Sequence, residues 1–183
     1  HAVGGNVIGY IELVNKLSHK YNYYGIQNIN IHGKELLHVA SLQELAQIYI
    51  NEILKIQDDG EFIFMGASMG GNIGFEMSRQ LINQGKKVKS IYMLDTWTDF
   101  SNDFQQEESF KTHLAEQEKY IAELKDVDAD ILHNLTLARW DLAQLLTAYK
   151  PVKCNIPIIL LKAKDLDNTH LSNLDAKDNG WAA

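Results

Sequence analysis

Apolar runs of strand length alternate with helical patterns along most of this chain. The later runs do not alternate with polar residues, which is typical of strands buried on both faces of a sheet. Strand–helix–strand order that repeats in this way predicts an α/β fold, with a mostly parallel sheet and helices on both faces. The predicted strands are Tyr23–Ile26, Phe62–Met65, Val88–Leu94 and Ile156–Leu161.

Two amphipathic helices are predicted on either side of the second strand. A capping box from Ser41 to Glu44 opens the first helix, because a serine and a glutamate three residues later satisfy free N–H groups of the first turn. The second helix follows a glycine-rich turn after Met65 and stops at Gly85, a residue type that commonly ends helices. The apolar faces comprise Leu45, Tyr49, Ile53 and Ile56 in the first helix and Ile73, Met77 and Leu81 in the second.

The pattern changes to helix alone between Asp99 and Lys150, which predicts a helical insertion over residues 99–150. At 183 residues the chain is long enough to bury the core of one domain. Residues 1–183 are therefore predicted to form a single α/β domain. One apolar stripe of the insertion comprises Ile131, Leu135, Leu142 and Leu145.

Composition and charge exclude several classes of function. The net charge is −7 and no lysine or arginine cluster offsets it, which argues against nucleic acid as the main partner. Cys154 is the one cysteine, so no internal disulfide can form, as is usual in a reducing compartment. Neither a membrane span nor a signal peptide is recognisable, and the histidines show no metal-ligand spacing. A cytoplasmic protein without a metal site is therefore expected.

The segment Gly66-Ala67-Ser68-Met69-Gly70 joins a predicted strand to a predicted helix. It fits G-x-S-x-G, the nucleophile elbow, in which a strand turns sharply into a helix with the serine at the apex. The glycines have a physical reason, because side chains two residues on either side of the strained serine would collide across the turn. Ser68 is therefore a candidate nucleophile. The alternative is a serine that caps a helix in a glycine turn.

Asp95 directly follows the predicted strand Val88–Leu94. A serine nucleophile needs a base to take its proton and a third group to orient that base. The carboxyl ends of neighbouring parallel strands lie at the same edge of a sheet, and the acid follows the serine in the chain order of this fold. Asp95 is therefore the candidate triad acid, and the alternative is an aspartate in an Asx turn.

The attacked carbonyl also needs two hydrogen-bond donors for its developing negative charge. One candidate is the backbone N–H of Met69, and the other is expected in a loop after an earlier strand. Val3-Gly4-Gly5 offers such a loop, just before a predicted helix start at Val7, whose positive dipole end would favour an anion. An ordinary glycine-rich turn is the alternative.

Several segments carry a resemblance to a known family: "HAVGGNVIGYIELVNKL", "YYGIQ", "GASMGGNIGFEMSRQLINQGKKV", "MLDTW" and "LLTAYKP…IPIILLKAKD…DNGW". The chain resembles the thioesterase domains that end nonribosomal peptide and polyketide synthases, over nearly its whole length and least in the helical insertion. The resemblance implies an α/β-hydrolase fold with a helical lid over residues 99–150. It also implies that Ser68 is the acylated nucleophile and Asp95 the triad acid, with the N–H groups of Val3 and Met69 as oxyanion donors.

The resemblance further implies a function. Members of the family take an acyl or peptidyl chain from the phosphopantetheine arm of a carrier protein and form an acyl-serine. Hydrolysis or cyclisation then releases the chain. The expected partner is an acyl or peptidyl carrier protein domain, and no cofactor is expected to be bound by the domain itself. Two alternatives stay open: a stand-alone esterase or lipase of the same fold, and a catalytically inactive α/β-hydrolase fold used for binding.

The chain departs from the family pattern at both ends. The catalytic histidine of the family follows a further strand after Gly180-Trp181, so the resemblance places it beyond Ala183. His170 follows Asp95 and is the weaker candidate. The family's oxyanion loop follows a central strand, and this chain starts where that strand would end, so the 183 residues are expected to be incomplete at both ends. The histidines that precede the expected place are His1, His19, His32, His38, His113 and His133.

Overall fold

The computed structural model describes residues 1–17, 20–31, 37–98, 129–163 and 178–181, with side chains of the helix at 129–148 described from residue 136 onward. In chain order the elements are α1 (Ile11–Leu17), α2 (Leu42–Ile56), β1 (Glu61–Ala67), α3 (Met69–Asn83), β2 (Lys87–Leu94), α4 (Ala129–Ala148) and β3 (Ile158–Leu161). Short 3₁₀ turns at Ile8–Tyr10 and Ile29–Ile31 precede α1 and α2.

The described strands form one parallel sheet in the order β1-β2-β3. The prediction of a parallel sheet that contains the last apolar run is therefore confirmed. β3 begins two residues later than predicted, at Ile158, because Pro157 has no N–H to contribute to a ladder. The carbonyl oxygen of Pro157 still accepts a hydrogen bond of 3.0 Å from Ile91 N in β2.

The predicted strand at Tyr23–Ile26 is wrong, because this segment is not part of a described strand. It lies along the N-terminal loop instead. A Cβ added to Gly25 would be 3.2 Å from the Val7 side chain, and Asn28 N donates to Gly5 O at 2.8 Å. An apolar run becomes a strand only where a neighbouring strand satisfies its backbone groups, and this loop offers isolated hydrogen bonds rather than a ladder.

Helix α2 begins at the predicted capping box. The Ser41 hydroxyl oxygen accepts a bond of 3.1 Å from Glu44 N, and the Glu44 carboxylate accepts one of 2.8 Å from Ala40 N. Ile56 was predicted on the apolar face but is the last residue of the helix and is 59% exposed, so the buried face ends before it. The buried residues of α2 are Leu42, Leu45, Ala46, Tyr49 and Ile50.

Helix α3 is buried along most of its length and packs on β1, β2 and α2. The predicted apolar stripe of Ile73, Met77 and Leu81 is confirmed, since none of the three is more than 4% exposed. The helix ends where predicted: Gly85 has a φ of +77°, and Lys86 N donates to Leu81 O at 2.9 Å.

Helix α4 lies between β2 and β3 in the chain and covers the core formed by α2 and α3. Leu142, Leu146 and Tyr149 are buried in that core. The predicted helical lid spans residues 99–150, of which 99–128 lie outside the described residues. The lid and the single-domain organisation therefore stay predictions.

Candidate active site

Ser68 stands alone between β1 and α3, with φ 50° and ψ −127°. A non-glycine residue with positive φ is strained and is held only where the surrounding structure requires it. The Ser68 side chain makes no capping hydrogen bond to α3, so the alternative role as a helix cap is not realised. The hydroxyl of Ser68 is therefore presented by a strained turn and is not used to stabilise the helix.

The two glycines around Ser68 are each required by a close contact with backbone atoms. A Cβ at Gly66 would lie 2.2 Å from the Gly70 carbonyl carbon, and a Cβ at Gly70 would lie 2.8 Å from the carbonyl oxygen of His1. Both distances are shorter than van der Waals contact and involve backbone atoms. Gly66 thus has the steric cause that the sequence predicts, a contact across the turn, whereas Gly70 is required by a contact with the N-terminal segment.

Asp95 lies at the carboxyl end of β2, beside the elbow. Ser68 N donates to Leu94 O at 2.9 Å, and Asp95 N donates to Leu161 O at 2.8 Å. Asp95 also has a positive φ, of 47°. Its Oδ1 atom is buried and has no hydrogen-bond partner among the described residues. The structure therefore places the candidate nucleophile and acid on adjacent strands, at the same edge of the sheet.

The two candidate oxyanion donors flank this edge. Met69 is the first residue of α3 and is fully buried, and the N–H of a first helical residue has no partner inside the helix. Val3 lies in a turn closed by a hydrogen bond of 2.9 Å from Gly5 N to Ala2 O. The Val3 N–H donates to none of the described residues. Because His1 contacts the elbow at Gly70, the loop that carries Val3 reaches the start of α3.

Residues 1–182 match the family profile described as Thioesterase domain. The chain belongs to this thioesterase domain family. The dimodular nonribosomal peptide synthase of Bacillus subtilis (strain 168) is 35% identical over 97 residues, 53% of this chain and 4% of that protein. Non-reducing polyketide synthase PFUR17_0229 of Pseudevernia furfuracea is 35% identical over 92 residues, 50% of this chain and 4% of that protein. The thioesterase domain thus spans a small part of the length of these relatives.

Solved structures show the same fold. Holo-AB3403, a four-domain nonribosomal peptide synthetase bound to AMP and glycine, matches with a TM-score of 0.78 and 24% identity, covering 100% of this chain and 16% of that one. The NocB thioesterase domain, in covalent complex with a fluorophosphonate nocardicin G analog, matches with a TM-score of 0.70 and 19% identity. The match covers 87% of this chain and 68% of that one. SrfTE, the surfactin thioesterase domain, matches with a TM-score of 0.67 and 17% identity, covering 94% of this chain and 72% of that one. The predicted family and α/β-hydrolase fold are confirmed.

Thr96 connects the acid loop of the thioesterase domain, which comprises residues 95–98 after β2 and carries Asp95, to the elbow. It is fully buried, and its hydroxyl donates to the carbonyl oxygen of Ser68 at 3.1 Å. One residue further on, the carbonyl oxygen of Trp97 accepts a bond of 2.9 Å from the side-chain amide of Asn72 in α3. Sequence reasoning missed both contacts, and the only available signal was the position of Thr96 directly after Asp95.

The segment 178–181 holds the same loop from the other side. Asn179 Nδ2 and Trp181 Nε1 donate to the Thr96 carbonyl oxygen at 3.1 Å and 3.0 Å. In return, Thr98 N donates to Asn179 O at 3.1 Å. The Gly180-Trp181 pair that contributed to the family resemblance thus belongs to the support of the acid loop.

The structure brings no histidine to Asp95 among the residues that it describes. His170 lies outside them, and His1 is engaged elsewhere, since its Nε2 is hydrogen-bonded to the Tyr49 hydroxyl at 2.6 Å. His38 is exposed. Within the described ranges, no three His, Cys, Asp or Glu residues are grouped so that they could hold a metal ion. No helix in this part of the chain is long and apolar enough to cross a membrane.

Proposed function

We propose that this thioesterase domain releases an acyl or peptidyl chain from the phosphopantetheine thioester of a carrier protein, through an acyl-Ser68 intermediate. The observation that carries the proposal is the juxtaposition of the strained Ser68 with a buried Asp95 oxygen that has no described partner. A buried carboxylate oxygen is costly to leave unpaired. An imidazole N–H that is oriented by this oxygen and faces Ser68 accounts for both features.

The first half of the reaction acylates the serine. The triad histidine accepts the Ser68 hydroxyl proton while Oγ attacks the thioester carbonyl carbon. The N–H groups of Met69 and Val3 stabilise the resulting oxyanion. The C–S bond then breaks, and the histidine returns the proton to the departing phosphopantetheine thiolate. The products of this half are acyl-Ser68 and a free thiol.

The second half releases the chain. The same histidine deprotonates water or a nucleophile within the acyl chain, which attacks the acyl-Ser68 carbonyl carbon. The C–O bond to Ser68 breaks, and the serine oxygen takes the proton from the histidine. Attack by water gives a free acid, whereas attack by an internal nucleophile gives a ring.

The remaining parts of the proposal concern the base, the partner and the cellular location. The base is expected beyond Ala183, with His170 as the weaker candidate. The relatives are large synthases, which supports a carrier protein domain as the partner that presents the thioester. In this proposal the domain binds no cofactor of its own, because phosphopantetheine arrives with the substrate, and it works in the cytoplasm.

The test uses the full-length protein that contains this chain. A fluorophosphonate probe is expected to label wild type and not Ser68→Ala, and Ser68→Ala is expected to lose acyl transfer from a carrier-protein thioester. Asp95→Asn is expected to be impaired as well, because the histidine loses its orienting acceptor. His170→Ala is the matched histidine control and is expected to keep its activity.

Three outcomes would change the proposal. Loss of activity in His170→Ala would move the base to that residue. Activity on free esters without activity on a carrier-protein thioester would favour a stand-alone esterase. Equal labelling of wild type and Ser68→Ala would favour an inactive α/β-hydrolase fold used for binding.

A further inference from the structure

The backbone N–H of Ala67, the residue before Ser68, is bound by a side chain from the N-terminal segment. Ser68 N donates to Leu94 O in β2, and successive residues of a strand face opposite sides. The Ala67 N–H therefore points away from β2. The Tyr10 hydroxyl oxygen accepts a hydrogen bond of 2.7 Å from it. Tyr10 thus holds the outer side of β1 at the point where the strand enters the elbow.

The same tyrosine meets the elbow at a second point. An added Cβ at Gly70 would lie 3.3 Å from the Tyr10 hydroxyl oxygen and 2.8 Å from the His1 carbonyl oxygen. The two ends of the segment 1–10 therefore converge on one glycine in the first turn of α3. Val3 lies between these ends in the chain.

Two further contacts fix the rest of this segment. Gly5 O accepts from Asn28 N at 2.8 Å, and the His1 ring is hydrogen-bonded to the Tyr49 hydroxyl of α2 at 2.6 Å. These two contacts attach the segment to the body of the domain, whereas the Tyr10 contact attaches it to the elbow itself. Among the described residues, the hydrogen bond from Ala67 N to Tyr10 is the one that joins this segment to the elbow, so the relative position of Val3 and Ser68 depends on it.

We propose that Tyr10 is a positioning residue that sets the distance between the Val3 N–H and the carbonyl attacked by Ser68. The inference rests on the proposed function, because the Val3 N–H matters only if an oxyanion forms. Oxyanion donors act only at hydrogen-bond distance from the developing charge, and a misplacement of about 1 Å can lower a rate about 100-fold. A single hydrogen bond across the elbow can therefore change the rate without touching the substrate.

The protonation state of Tyr10 suits this role. Burial raises the pKa of Tyr10, and the hydrogen bond from Ala67 lowers it by less. The phenol therefore keeps its proton at neutral pH and places no negative charge beside the elbow.

The test compares Tyr10→Phe with wild type in the full-length protein, with the octanoyl thioester of N-acetylcysteamine as substrate. Active sites are counted by fluorophosphonate titration, so that a loss of folded protein is not read as a loss of rate. The expected result is a kcat per titrated site that is about 10- to 100-fold lower, with KM changed by less than about 2-fold. Tyr24→Phe is the matched control and is expected to behave as wild type, because Tyr24 is 61% exposed.

Gly70→Ala provides a second variant that leaves Tyr10 in place. Its Cβ would push the His1 carbonyl and the Tyr10 hydroxyl away from the elbow, while the helix propensity of alanine favours α3 by about 1 kcal/mol. We expect a lower kcat per titrated site, and the titration separates this effect from any loss of folded protein that the contact with the His1 backbone causes. Because both variants displace the same loop, their effects on kcat are expected to be less than multiplicative in the double variant.

The outcomes separate this inference from the proposed function. If Ser68→Ala is inactive but Tyr10→Phe keeps its kcat per site, the proposed function stands and the role of Tyr10 is wrong. Fully multiplicative effects of Tyr10→Phe and Gly70→Ala would also overturn it. If Tyr10→Phe does not fold, an unchanged kcat per site in Gly70→Ala overturns the inference and a lowered one supports it. If Ser68→Ala stays active, the proposed function fails first.

Discussion

Polar groups near the start of helix α3 and at its centre differ in how far hydrogen bonds satisfy them. At its start, Ser68 has a strained backbone and makes no capping bond, and the neighbouring Asp95 has a buried oxygen with no described partner. About two turns further on, Glu76 is a buried carboxylate that accepts hydrogen bonds on both oxygens. A buried oxygen without a described partner thus lies beside the start of α3, whereas the carboxylate at its centre is fully satisfied.

The satisfied centre is a network around Glu76, which is 1% exposed. Arg79 donates to both carboxylate oxygens, at 2.6 Å and 3.0 Å, Gln80 Nε2 donates at 2.8 Å and the Tyr149 hydroxyl at 3.2 Å. Burial alone would raise the pKa of Glu76, but the hydrogen bonds and the charge of Arg79 lower it overall. Burial raises the pKa of Tyr149, so the phenol stays protonated as a donor. The network joins α3 to the residue that follows α4.

The comparison teaches how a carboxylate with all its hydrogen-bond partners differs from one with a buried oxygen that has no described partner. Glu76 has all its partners within the described residues, so its role is complete without a ligand. Ser68 and Asp95 both have a strained backbone, and Asp95 also has a buried oxygen without a described hydrogen-bond partner. Both features cost stability, and proteins tend to keep them where a function uses them. Stability and activity are therefore expected to respond differently to changes at the two places.

Ser68→Gly should give the largest effect and the sharpest test of this contrast. Glycine adopts a φ of +50° without strain, so the free energy of unfolding should rise by about 1 kcal/mol. Acyl transfer should fall about 10⁴-fold or more, because the nucleophile is gone. Urea unfolding and thioester turnover measure the two quantities, and a destabilised variant would show that the elbow is not strained.

Glu76→Gln should have the reverse effect, with lower stability and nearly unchanged activity. It removes the charge that Arg79 faces, and because the Arg79 side chain is 24% exposed, water offsets part of the loss. The free energy of unfolding should fall by about 2 kcal/mol, with kcat per active site nearly unchanged. Glu52→Gln is the matched control, because Glu52 and its partner Lys55 are both exposed. Loss of this ion pair should change the free energy of unfolding by less than about 0.5 kcal/mol. A large loss of kcat per site in Glu76→Gln would break the contrast.

Thr96→Val should have a smaller, mixed effect, because Thr96 is fully buried and is also hydrogen-bonded to the Ser68 carbonyl oxygen. Valine keeps the shape but removes the hydrogen bond to the Ser68 carbonyl oxygen. The free energy of unfolding should fall by about 1 kcal/mol, together with a loss of a few-fold in kcat. Thermal unfolding and turnover per titrated site would detect both, and unchanged turnover would show that the acid loop does not depend on this bond.

The smallest expected effect is the pH dependence of the Glu76 contribution. The folded-state pKa of Glu76 lies below its ordinary value of 4.5, so the unfolded chain takes up the proton first. The stabilisation is therefore present above about pH 4.5 and is lost as the pH falls through the folded-state pKa. Urea unfolding of wild type and Glu76→Gln should give stabilities that converge as the pH is lowered below 4.5 and through the folded-state pKa. A difference that stays constant with pH would mean that the charge of Glu76 is not the stabilising feature.

The amino-acid sequence by itself determined the features that depend on local geometry. The G-x-S-x-G spacing specifies a turn in which Gly66 must approach the Gly70 backbone without a side chain, and the capping box at Ser41 specifies a helix start. The position of Asp95 follows from the parallel order of the strands. These features could be predicted because backbone sterics and hydrogen-bond periodicity act over a few residues.

Only the tertiary structure decided the contacts between distant segments. Tyr10 reaches Ala67 across 57 positions, and Asn179 reaches Thr96 across 83, separations over which no periodicity operates. The run at Tyr23–Ile26 failed as a strand for the same reason, since strand formation depends on a neighbour that its own sequence does not specify. Hydrogen bonds between segments depend on how helices and sheet pack together, and a local pattern carries no information about that packing.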